Sequence, residues 1–384
     1  MSFICRGYVL ATILTLTAAR GALALQYTVT NIGGLSGQGA MGCAINTCGQ
    51  VAGESYSVQA PPHAFVTDTS GIINPGTDDK GALGVTKSHA NAINASGQIV
   101  GYTEAYPGGN PIDRAFRCDP ASAMLDLGTL GGATAEARGI NNSGRVVGVS
   151  ATATGIGHAF RTQPNAVIVA ATDDLGSLGG SSGAYAINNS DQVVGTSSPI
   201  TGPAHAFRTT PGGVIDASAD LGTLFSGYRS TACAINDAGN AVGYGFYSSF
   251  YIHAFFVPAG RAILPSDDLG TLPGGLASNA FAINNSNVIV GVASTAAGDE
   301  HAVIWTAPGT APIDLNSYLP ADSGWVLEWA TGINDAGQIT GYGTFGPNPS
   351  YFTGFILTPT PEPASLTLLI ATTPLLFLRR LRRG

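Results

Sequence analysis

The sequence predicts an all-β fold, a seven-bladed β-propeller built from four-stranded blades. The first observation is a tripeptide, Ala-Ile-Asn or Gly-Ile-Asn, that recurs seven times and places asparagines 47 to 50 residues apart. The second is that each repeat holds four short segments rich in Val, Ile, Phe and Thr, bounded by Gly, Asn, Asp or Ser, as strands are. A repeat of about 40 to 50 residues has the size of a propeller blade. The repeated asparagines are Asn46, Asn94, Asn141, Asn188, Asn236, Asn284 and Asn334.

We name the four segments of each repeat a, b, c and d. In the third repeat they are Ala137–Asn141, Arg145–Ser150, His158–Thr162 and Asp174–Gly180. The join from a to b ends in Gly, Asp or Asn, which tolerate a positive φ, so it predicts a tight hairpin whose Asn side chain caps its own turn. A glycine seven residues after each Asn indicates a close approach of the backbone, as where blades crowd together.

The order of the segments bears on how the ring closes. The repeat region opens with a d segment, between Tyr27 and Leu35, and ends with a c segment, Gly354–Leu357. If a blade runs from a to d, the N-terminal strand completes the seventh blade beside the C-terminal strands and closes the ring. Blades that run from d to c would need no such closure, and this alternative stays open. A rolled β-solenoid is a second alternative, although its coils are usually shorter.

Both ends of the chain have the composition of sorting signals, which confines the propeller to residues 25–358. Residues 1–24 combine a base, an apolar stretch and a small-residue cleavage site, and predict a secretory signal peptide. In the tail, 359–384, the apolar segment 364–378 would span about 22 Å as a helix. That is short of a roughly 30 Å bilayer core, so we expect a marginal transmembrane helix that anchors the chain transiently in the inner membrane. The sorting residues are Pro361, Glu362, Pro363, Arg379, Arg380, Arg382 and Arg383.

Two parts of the chain resemble known families. The Pro-Glu-Pro triplet, the short apolar helix and the terminal arginines resemble a PEP-CTERM sorting signal. The His-Ala-Phe at 63–65, 158–160, 205–207 and 253–255 resembles the HAF repeats of extracellular proteins. The resemblance implies a Gram-negative, exopolysaccharide-producing bacterium, an exosortase partner that cuts near 361–363, and a place on the cell surface or in a biofilm matrix. The HAF family has no established activity that could be transferred to these residues.

The charge of the predicted exported part excludes some partners. Residues 25–361 contain ten bases and 23 acids, a net charge near −13. Nucleic acid and anionic lipid are therefore unfavourable partners.

Cysteines and repeated polar residues give no sign of a metal or cofactor. Cys43 with Cys48 would span the first a to b turn and is the favoured disulfide, with Cys118–Cys233 as a weaker choice. The cysteine spacing fits no zinc motif. We expect the histidines that begin segment c to form hydrogen bonds inside their own blades, and the aspartates of segment d to accept from backbone amides. The histidines are His63, His158, His205, His253 and His301, with Arg114 in the second repeat and no counterpart in the seventh.

The joins from b to c are aromatic in the second, fifth and seventh repeats. In antiparallel blades these joins share one face with the d to a connections, so that face is expected to present rings for recognition, with polysaccharide as the favoured ligand. Packing of the same rings within the loops or blade edges is the alternative. The candidate ligand-binding aromatics are Tyr102, Tyr106, Tyr244, Phe246, Tyr247, Phe250, Tyr251, Tyr342, Phe345, Tyr351 and Phe352, whereas Trp305, Trp325 and Trp329 are expected in the core.

The sequence thus favours an exported, non-catalytic repeat protein that binds polysaccharide. One alternative is a polysaccharide lyase or glycosidase, which would require convergent acids in a central cleft. The non-repeated carboxylates are Glu54, Glu104, Glu136, Glu300 and Glu328, and their spacing does not pair them. The other alternative is a structural matrix protein that associates with itself through the aromatic face.

Overall fold

The computed structural model describes residues 26–37, 39–56, 61–84, 87–105, 112–248, 251–346 and 351–360. In these ranges the chain forms seven antiparallel sheets of three or four strands each. The sheets follow one another along the chain as blades, and Tyr27–Pro359 forms one compact unit. The prediction of a seven-bladed β-propeller is confirmed, and a β-solenoid is excluded because each repeat is a separate sheet.

The blades use short strands joined by tight turns. Blade 1 contains β2 (Ala40–Ile45), β3 (Val51–Ser55) and β4 (His63–Val66). Blade 2 contains β5 (Lys87–Ile93), β6 (Ile99–Ala105), β7 (Ile112–Cys118) and β8 (Met124–Asp126). Blade 3 contains β9 (Gly131–Ile140), β10 (Val146–Thr152) and β11 (Gly157–Arg161). Blade 4 contains β12 (Gly179–Ile187), β13 (Val193–Pro199), β14 (His205–Arg208) and β15 (Asp220–Gly222).

The last three blades follow the same plan. Blade 5 contains β16 (Ser230–Ile235), β17 (Ala241–Phe246) and β18 (Ile252–Val257). Blade 6 contains β19 (Ser278–Ile283), β20 (Ile289–Ser294), β21 (Glu300–Trp305) and β22 (Ile313–Asp314). Blade 7 contains β23 (Trp325–Ile333), β24 (Ile339–Phe345), β25 (Thr353–Pro359) and the N-terminal β1 (Tyr27–Asn31). The helical segments are α1 (Ala170–Asp173) and the 3-10 turns Pro265–Asp267 and Leu315–Tyr318.

The prediction of four strands in every blade is wrong for blades 1, 3 and 5. There the d segment is reduced to a single bridge, as between Phe160 and Asp174. In blade 3 the Asp174 carboxylate accepts a hydrogen bond from the Gly176 amide, and Gly176 has a φ of +71°. This bend ends segment d, but the same bend follows Asp220 in the four-stranded blade 4, so it does not by itself distinguish blades of three strands from blades of four.

The N-terminal strand closes the ring. β1 pairs antiparallel with β25 over five residues, from Tyr27 opposite Pro359 to Asn31 opposite Phe355. A blade therefore runs from a to d, and the d to c alternative is excluded. Blade 7 also bonds to blade 1, since the Asn334 side-chain amide donates to the Asn46 carbonyl oxygen at 3.0 Å.

The a to b hairpins form as predicted, whereas the strand glycines have a different role. The fourth turn residue, counted from the repeated asparagine as the first, has positive φ in all seven copies, including the non-glycine residues Asp191 and Asn287. Gly53 lies opposite Gly42 beside a β-bulge, and a Cβ at Gly53 would overlap the Met41 carbonyl oxygen. The close approach is therefore within one sheet, at a bulge between strands a and b, and not between blades.

The core lies between neighbouring blades. The phenylalanine of each His-Ala-Phe is fully buried, and the preceding alanine is small enough to pack beneath the adjacent sheet. Burial of each ring contributes roughly 1.5 to 3 kcal/mol. The equivalent buried rings are Phe65, Phe116, Phe160, Phe207, Phe255 and Phe355.

The predicted sorting elements lie outside the described residues. This applies to the signal peptide at 1–24, the helix at 364–378, and all of the proline, glutamate and arginine sorting residues from Pro361 to Arg383. In the part of the chain that the structure covers, no helical segment has the length and hydropathy needed to span a bilayer.

Candidate functional site

The repeated histidines form hydrogen bonds with aspartates of their own blades. In five blades the histidine at the start of strand c lies with Nδ1 within 2.6 to 3.0 Å of the aspartate of segment d. The same aspartate accepts from the backbone amide two residues on, at 2.7 to 2.9 Å. Each pair joins the two outer segments of one blade, as predicted.

Two blades have other residues in place of this histidine–aspartate pair. In blade 2, Arg114 replaces the histidine and its guanidinium lies 2.6 Å from the Asp126 carboxylate. In blade 7 both partners change, because Asn31 stands at the aspartate position and Thr353 at the histidine position. Asn31 still accepts from the Gly33 amide. The pair between strand c and segment d therefore has a structural role. Its copies lie in separate blades and do not meet at one site.

The repeated asparagines form a closed ring around the axis. Each side-chain oxygen accepts from amides of its own turn, as Asn188 does from Ser190 and Gln192. Each side-chain amide also donates to the backbone carbonyl oxygen of the equivalent asparagine in the next blade, at 3.0 to 3.2 Å. The sequence predicted the turn cap but not the bond to the next blade. The ring surrounds an axial cavity of about 240 Å³.

A second polar ring is stacked outside the first. Asn142, Asn189, Asp237, Asn285 and Asp335 are exposed, and each accepts from the backbone amide of its neighbour in the preceding blade. Thr47 and Ala95 interrupt the ring. The oxygens of both rings are used in these internal bonds, which indicates a packing role for this end of the axis.

We call the opposite face, which carries the b to c and d to a connections, the loop face. Four of the predicted aromatics are exposed on it, between 39% and 49% of each residue. They are Tyr251, Phe345, Tyr351 and Phe352. Tyr106 and Phe250 lie outside the described residues.

Four of the other predicted aromatics belong to strands and are half-buried. Tyr102 stacks on His89, with ring centroids 4.7 Å apart. Tyr244, Phe246 and Tyr342 also lie within strand b of their blades. Because successive side chains of a strand face neighbouring blades, these rings contribute mainly to packing, and Phe246 is the one of them that also borders a groove.

Two aromatic clusters reach the loop face. In blade 5, Tyr247 stacks on Tyr251 at 5.8 Å, contacts His253 edge-on, and donates a hydrogen bond to the Leu276 carbonyl oxygen. In blade 7, Phe345 packs on Trp325 at 4.8 Å, and Phe352 on Tyr342 at 5.2 Å.

The tryptophans divide between core and surface. Trp305 is fully buried, as predicted. Trp325 and Trp329 are only half-buried, so their assignment to the core is wrong. Trp329 stacks between Phe281 and Tyr342, and its indole N–H donates to the Glu300 carboxylate at 2.9 Å. The carboxylate therefore holds the indole of Trp329 in the middle of strand β23.

A groove of about 440 Å³ lies between blades 4 and 5 on the loop face. Tyr228 and Arg229, in the connection before β16, form one side of it together with Phe246, and Pro203 lies on the other side. The Arg229 guanidinium sits 4.1 Å from the centre of the Phe246 ring. Tyr228 and Arg229 were not among the predicted residues, because nothing in the repeat pattern distinguishes them.

Blades 1 and 2 carry a charged cluster that breaks the sevenfold pattern. The His89 imidazole contacts the Glu54 carboxylate through Nδ1, and its Nε2 lies 3.3 Å from Glu104, without the alignment of a hydrogen bond. Tyr56 donates to Glu54 at 3.1 Å, and Lys87 pairs with Glu104 at 3.1 Å. Glu54 and Glu104 are thereby brought to one centre, although their spacing in the sequence did not pair them.

Burial and charge oppose each other at His89. Burial by itself lowers the pKa of His89, but the hydrogen bond to Glu54 and the charges of Glu54 and Glu104 outweigh it, so the pKa is raised. Burial, followed by the charge of Glu136, raises the pKa of Tyr102 beside it. The imidazole therefore favours its charged form, as a cation held between two carboxylates.

The remaining non-repeated carboxylates are separately engaged. Glu136 forms a close pair with Arg138 on the same strand, at 2.6 Å. Burial raises the pKa of Glu328, with a smaller opposing effect from its hydrogen bond to Thr344. With Glu300 held by Trp329, these three groups do not form a convergent set of acids around one space.

The cysteines are unpaired. Cys43, Cys48, Cys118 and Cys233 are all free thiols, so the expected Cys43–Cys48 and Cys118–Cys233 disulfides are not formed. Cys43 lies in strand β2 and Cys48 is exposed in the hairpin beyond it. Burial raises the pKa of Cys43 and of Cys233 to about 12, which makes both poor nucleophiles. Among the described residues no group of His, Cys, Asp and Glu side chains is arranged to hold a metal ion.

Comparison with known proteins gives likeness of fold only. No family model and no curated protein matches this chain. TolB of Acinetobacter baumannii has a TM-score of 0.41 at 13% identity, over 59% of this chain and 56% of TolB. A gluconolactonase of Xanthomonas campestris has 0.37 at 14%, over 73% of this chain and 88% of the enzyme. A protein of unknown function from Dyadobacter fermentans has 0.44 at 12%, over 87% and 99%. At these values the likenesses transfer no activity, substrate or partner.

Proposed function

We propose that this protein is an exported, non-catalytic propeller that binds polysaccharide through its loop face. The observation that supports the proposal most directly is the set of exposed rings on that face. Tyr251, Phe345, Tyr351 and Phe352 expose between 39% and 49% of each residue, and Tyr228 exposes 40%. Exposed aromatic rings on loops held by a rigid scaffold are typical of recognition surfaces.

The chemistry of this face suits sugars better than other ligands. Flat rings can stack against the apolar face of a pyranose, while neighbouring Ser, Thr and Asn side chains supply hydrogen bonds to hydroxyl groups. The net charge near −13 for residues 25–361 disfavours nucleic acid and anionic lipid surfaces. The proposed ligand class is therefore a polysaccharide of the cell surface or extracellular matrix.

The proposed location follows from the two ends of the sequence. The segment 1–24 would direct export, and the tail 359–384 would hold the chain transiently in the inner membrane until an exosortase-like partner cuts near Pro361-Glu362-Pro363. Mass spectrometry of protein recovered outside cells would then find an N-terminus near residue 25 and a C-terminus close to the Pro-Glu-Pro triplet. Recovery of uncut chains in the cytoplasm would overturn this part of the proposal.

The test of binding is a glycan array with full-length protein. We expect saccharide binding that is lost in a Tyr251→Ala, Phe352→Ala double variant whose thermal unfolding is unchanged. A Leu264→Ala variant is the control, because Leu264 is 48% exposed on the opposite face and should bind as the wild type does. No binding by the wild type would contradict the proposal, and concentration-dependent association through the same rings would favour the self-associating matrix protein instead.

A second candidate function is a polysaccharide lyase or glycosidase. The observation that favours it is the cluster of Glu54, His89 and Glu104, which brings two carboxylates to one imidazole and breaks the repeat symmetry. An assay for new reducing ends or unsaturated products, with Glu104→Gln beside the wild type, distinguishes it from binding alone. Product formation that disappears in Glu104→Gln would replace the non-catalytic proposal.

A further inference from the structure

We propose that the groove between blades 4 and 5 binds a carboxylate-bearing sugar unit of an acidic polysaccharide, with Arg229 as the anion-binding residue. The inference rests on the proposed polysaccharide binding and specifies the ligand class at one place on the loop face. Its starting point is the pairing of the positive charges in the propeller.

Arg229 is the exception among the cations of the described chain. Of the ten Lys and Arg residues there, nine have a carboxylate or carbonyl oxygen as partner, and Arg229 has neither. Even the half-buried Arg161 and the buried Arg208 use their guanidinium groups to bond carbonyl oxygens of the next blade. The Arg229 donors are thus unused, whereas every other cation among the described residues has an acceptor.

The guanidinium is nevertheless held in place. It lies 4.1 Å from the centre of the Phe246 ring, within the range of a cation–π contact. The backbone around it is anchored, since the Arg229 carbonyl oxygen accepts from the Phe246 amide at 2.9 Å. Stacking of the flat group on an aromatic face leaves its edge N–H groups directed away from the ring, free to donate to a planar carboxylate in a two-point contact.

The groove around Arg229 has room for one sugar unit, and no negatively charged side chain lines it. Its volume of about 440 Å³ lies within the usual range for small-molecule sites. None of its lining residues is acidic, and Tyr228 presents an exposed ring beside Arg229. The long-range repulsion from residues 25–361, whose net charge is near −13, is screened beyond about 8 Å at physiological salt, so the nearest charge governs the contact.

A neutral sugar would leave the guanidinium without an acceptor of matching charge. A carboxylate supplies two oxygens in the plane that an Arg fork recognises, and such charge-assisted pairs are about twice as strong as neutral hydrogen bonds. A uronic acid combines this group with a ring that can stack on Tyr228. The combination favours a uronate over a neutral hexose as the occupant.

The test compares matched ligands on full-length protein by calorimetry. Oligomers of galacturonate, glucuronate and mannuronate are titrated as free acids and as their neutral methyl esters. We expect at least one free acid to bind, its ester to bind about tenfold or more weakly, and Arg229→Gln to weaken the acid by about tenfold to a hundredfold while leaving the ester unchanged. Arg229→Lys, which keeps the charge but loses the fork, should fall between.

The control is Lys80→Gln, which removes one positive charge from blade 1, on the far side of the ring, and should bind as the wild type does. Equal binding of acid and ester, or of wild type and Arg229→Gln, overturns the carboxylate site while polysaccharide binding stands. Absence of any glycan binding by the wild type contradicts the proposed function as well. Thermal unfolding of each variant separates lost binding from lost folding.

Discussion

At the scale of single residues, one aspartate in each outer segment performs two tasks. Asp268 accepts from the Gly270 amide and from His253, so it shapes the exit from the sheet and ties strand c to segment d. Burial alone would raise the pKa of Asp268, but the hydrogen bonds from His253 and Gly270 outweigh it and lower the pKa. Its contribution to stability is therefore present above the unfolded-state pKa of about 3.9 and is lost as the pH falls through the lower folded-state value.

The first prediction concerns exchange of the histidine at this position. His158→Ala removes the bond to Asp174 and should lower the free energy of unfolding by about 1 kcal/mol at pH 7. His158→Arg should restore most of that loss, because blade 2 already uses Arg114 against Asp126 in the equivalent place. Urea unfolding of the three proteins measures the difference. An Arg variant no more stable than the Ala variant would show that the pair in blade 3 depends on imidazole geometry.

His89 gives a prediction with the opposite dependence on pH. Because its folded pKa is raised above the ordinary value of about 6.5, its stabilising contact with Glu54 and Glu104 is fully present below that value. The contribution is lost as the pH rises through the folded pKa. The urea midpoint of the wild type should therefore exceed that of His89→Gln most clearly near pH 6, and the gap should narrow toward pH 9.

A nuclear magnetic resonance titration of the His89 ring provides the direct check, with its midpoint expected above that of a free histidine. A gap between wild type and His89→Gln that is constant from pH 6 to pH 9 would contradict the ion-pair explanation. It would indicate that the ring contributes by stacking on Tyr102 instead.

At the scale of elements, the a to b hairpin is both a turn and a link between blades. The Asn188 oxygen accepts from two amides of its own hairpin, and its nitrogen donates to Gln192 and to the Asn236 carbonyl oxygen in the next blade. The side chain is 4% exposed or less, so water cannot replace these bonds. The Asn188 side chain therefore fixes both the conformation of its hairpin and the spacing between two blades.

The prediction for this element compares two adjacent asparagines. Asn188→Ala leaves two part-buried amides and one buried carbonyl oxygen without partners and should cost about 2 to 4 kcal/mol. Asn189→Ala removes bonds of the exposed outer ring and should cost roughly 0.5 kcal/mol. Denaturant unfolding of both variants measures the ratio. Equal losses would mean that the inner ring is no more important than the exposed one.

The a to b hairpins show which features could be predicted from the sequence and which could not. The period, the turn type and the capping role of Asn94 were predictable because they depend on neighbours within about five residues. The donation from Asn94 to the Asn141 carbonyl oxygen depends on how blades are spaced around an axis, which no local pattern encodes. The same applies to strand glycines such as Gly53, where the close approach was predicted but its place, a bulge inside the sheet, was not.

At the scale of the whole molecule, the candidate sites were less predictable than the ring. The count of segments allowed closure by β1 but left the phase of the blades open, and the pairing of β1 with β25 decides it. The contact of Glu54 with His89 joins different blades, and Arg229 lies in a connection without a repeated pattern, so neither was visible in the sequence. Tyr102 was assigned to the b to c join, although it follows Gly101 as Val149 follows Gly148 and lies within strand b. Contacts between side chains of different blades can be identified only when the three-dimensional spacing of the blades is known.

The closure of that ring gives the last prediction. Thr28 of β1 and Thr358 of β25 are directly opposite and both exposed. Opposite residues of antiparallel strands have Cα atoms about 4.5 to 5.5 Å apart, within the range that a disulfide bridges. A Thr28→Cys, Thr358→Cys variant should therefore form a bond that joins the two ends of the ring and raises the unfolding temperature under oxidising conditions. Because the closed loop is nearly the whole propeller, the chain-entropy model gives a large gain, about 6 kcal/mol.

Reduction of the same variant should return the unfolding temperature to that of the wild type, and the single Thr28→Cys variant should show no change in either condition. Peptide mapping must identify the 28–358 bond, since Cys48 is an exposed thiol that could pair instead. Unfolding of the oxidised variant at the wild-type temperature would show that the ring opens elsewhere first. In that case the first contact to open would lie between two blades and not at the pairing of β1 with β25. The 28–358 disulfide would not protect such a contact.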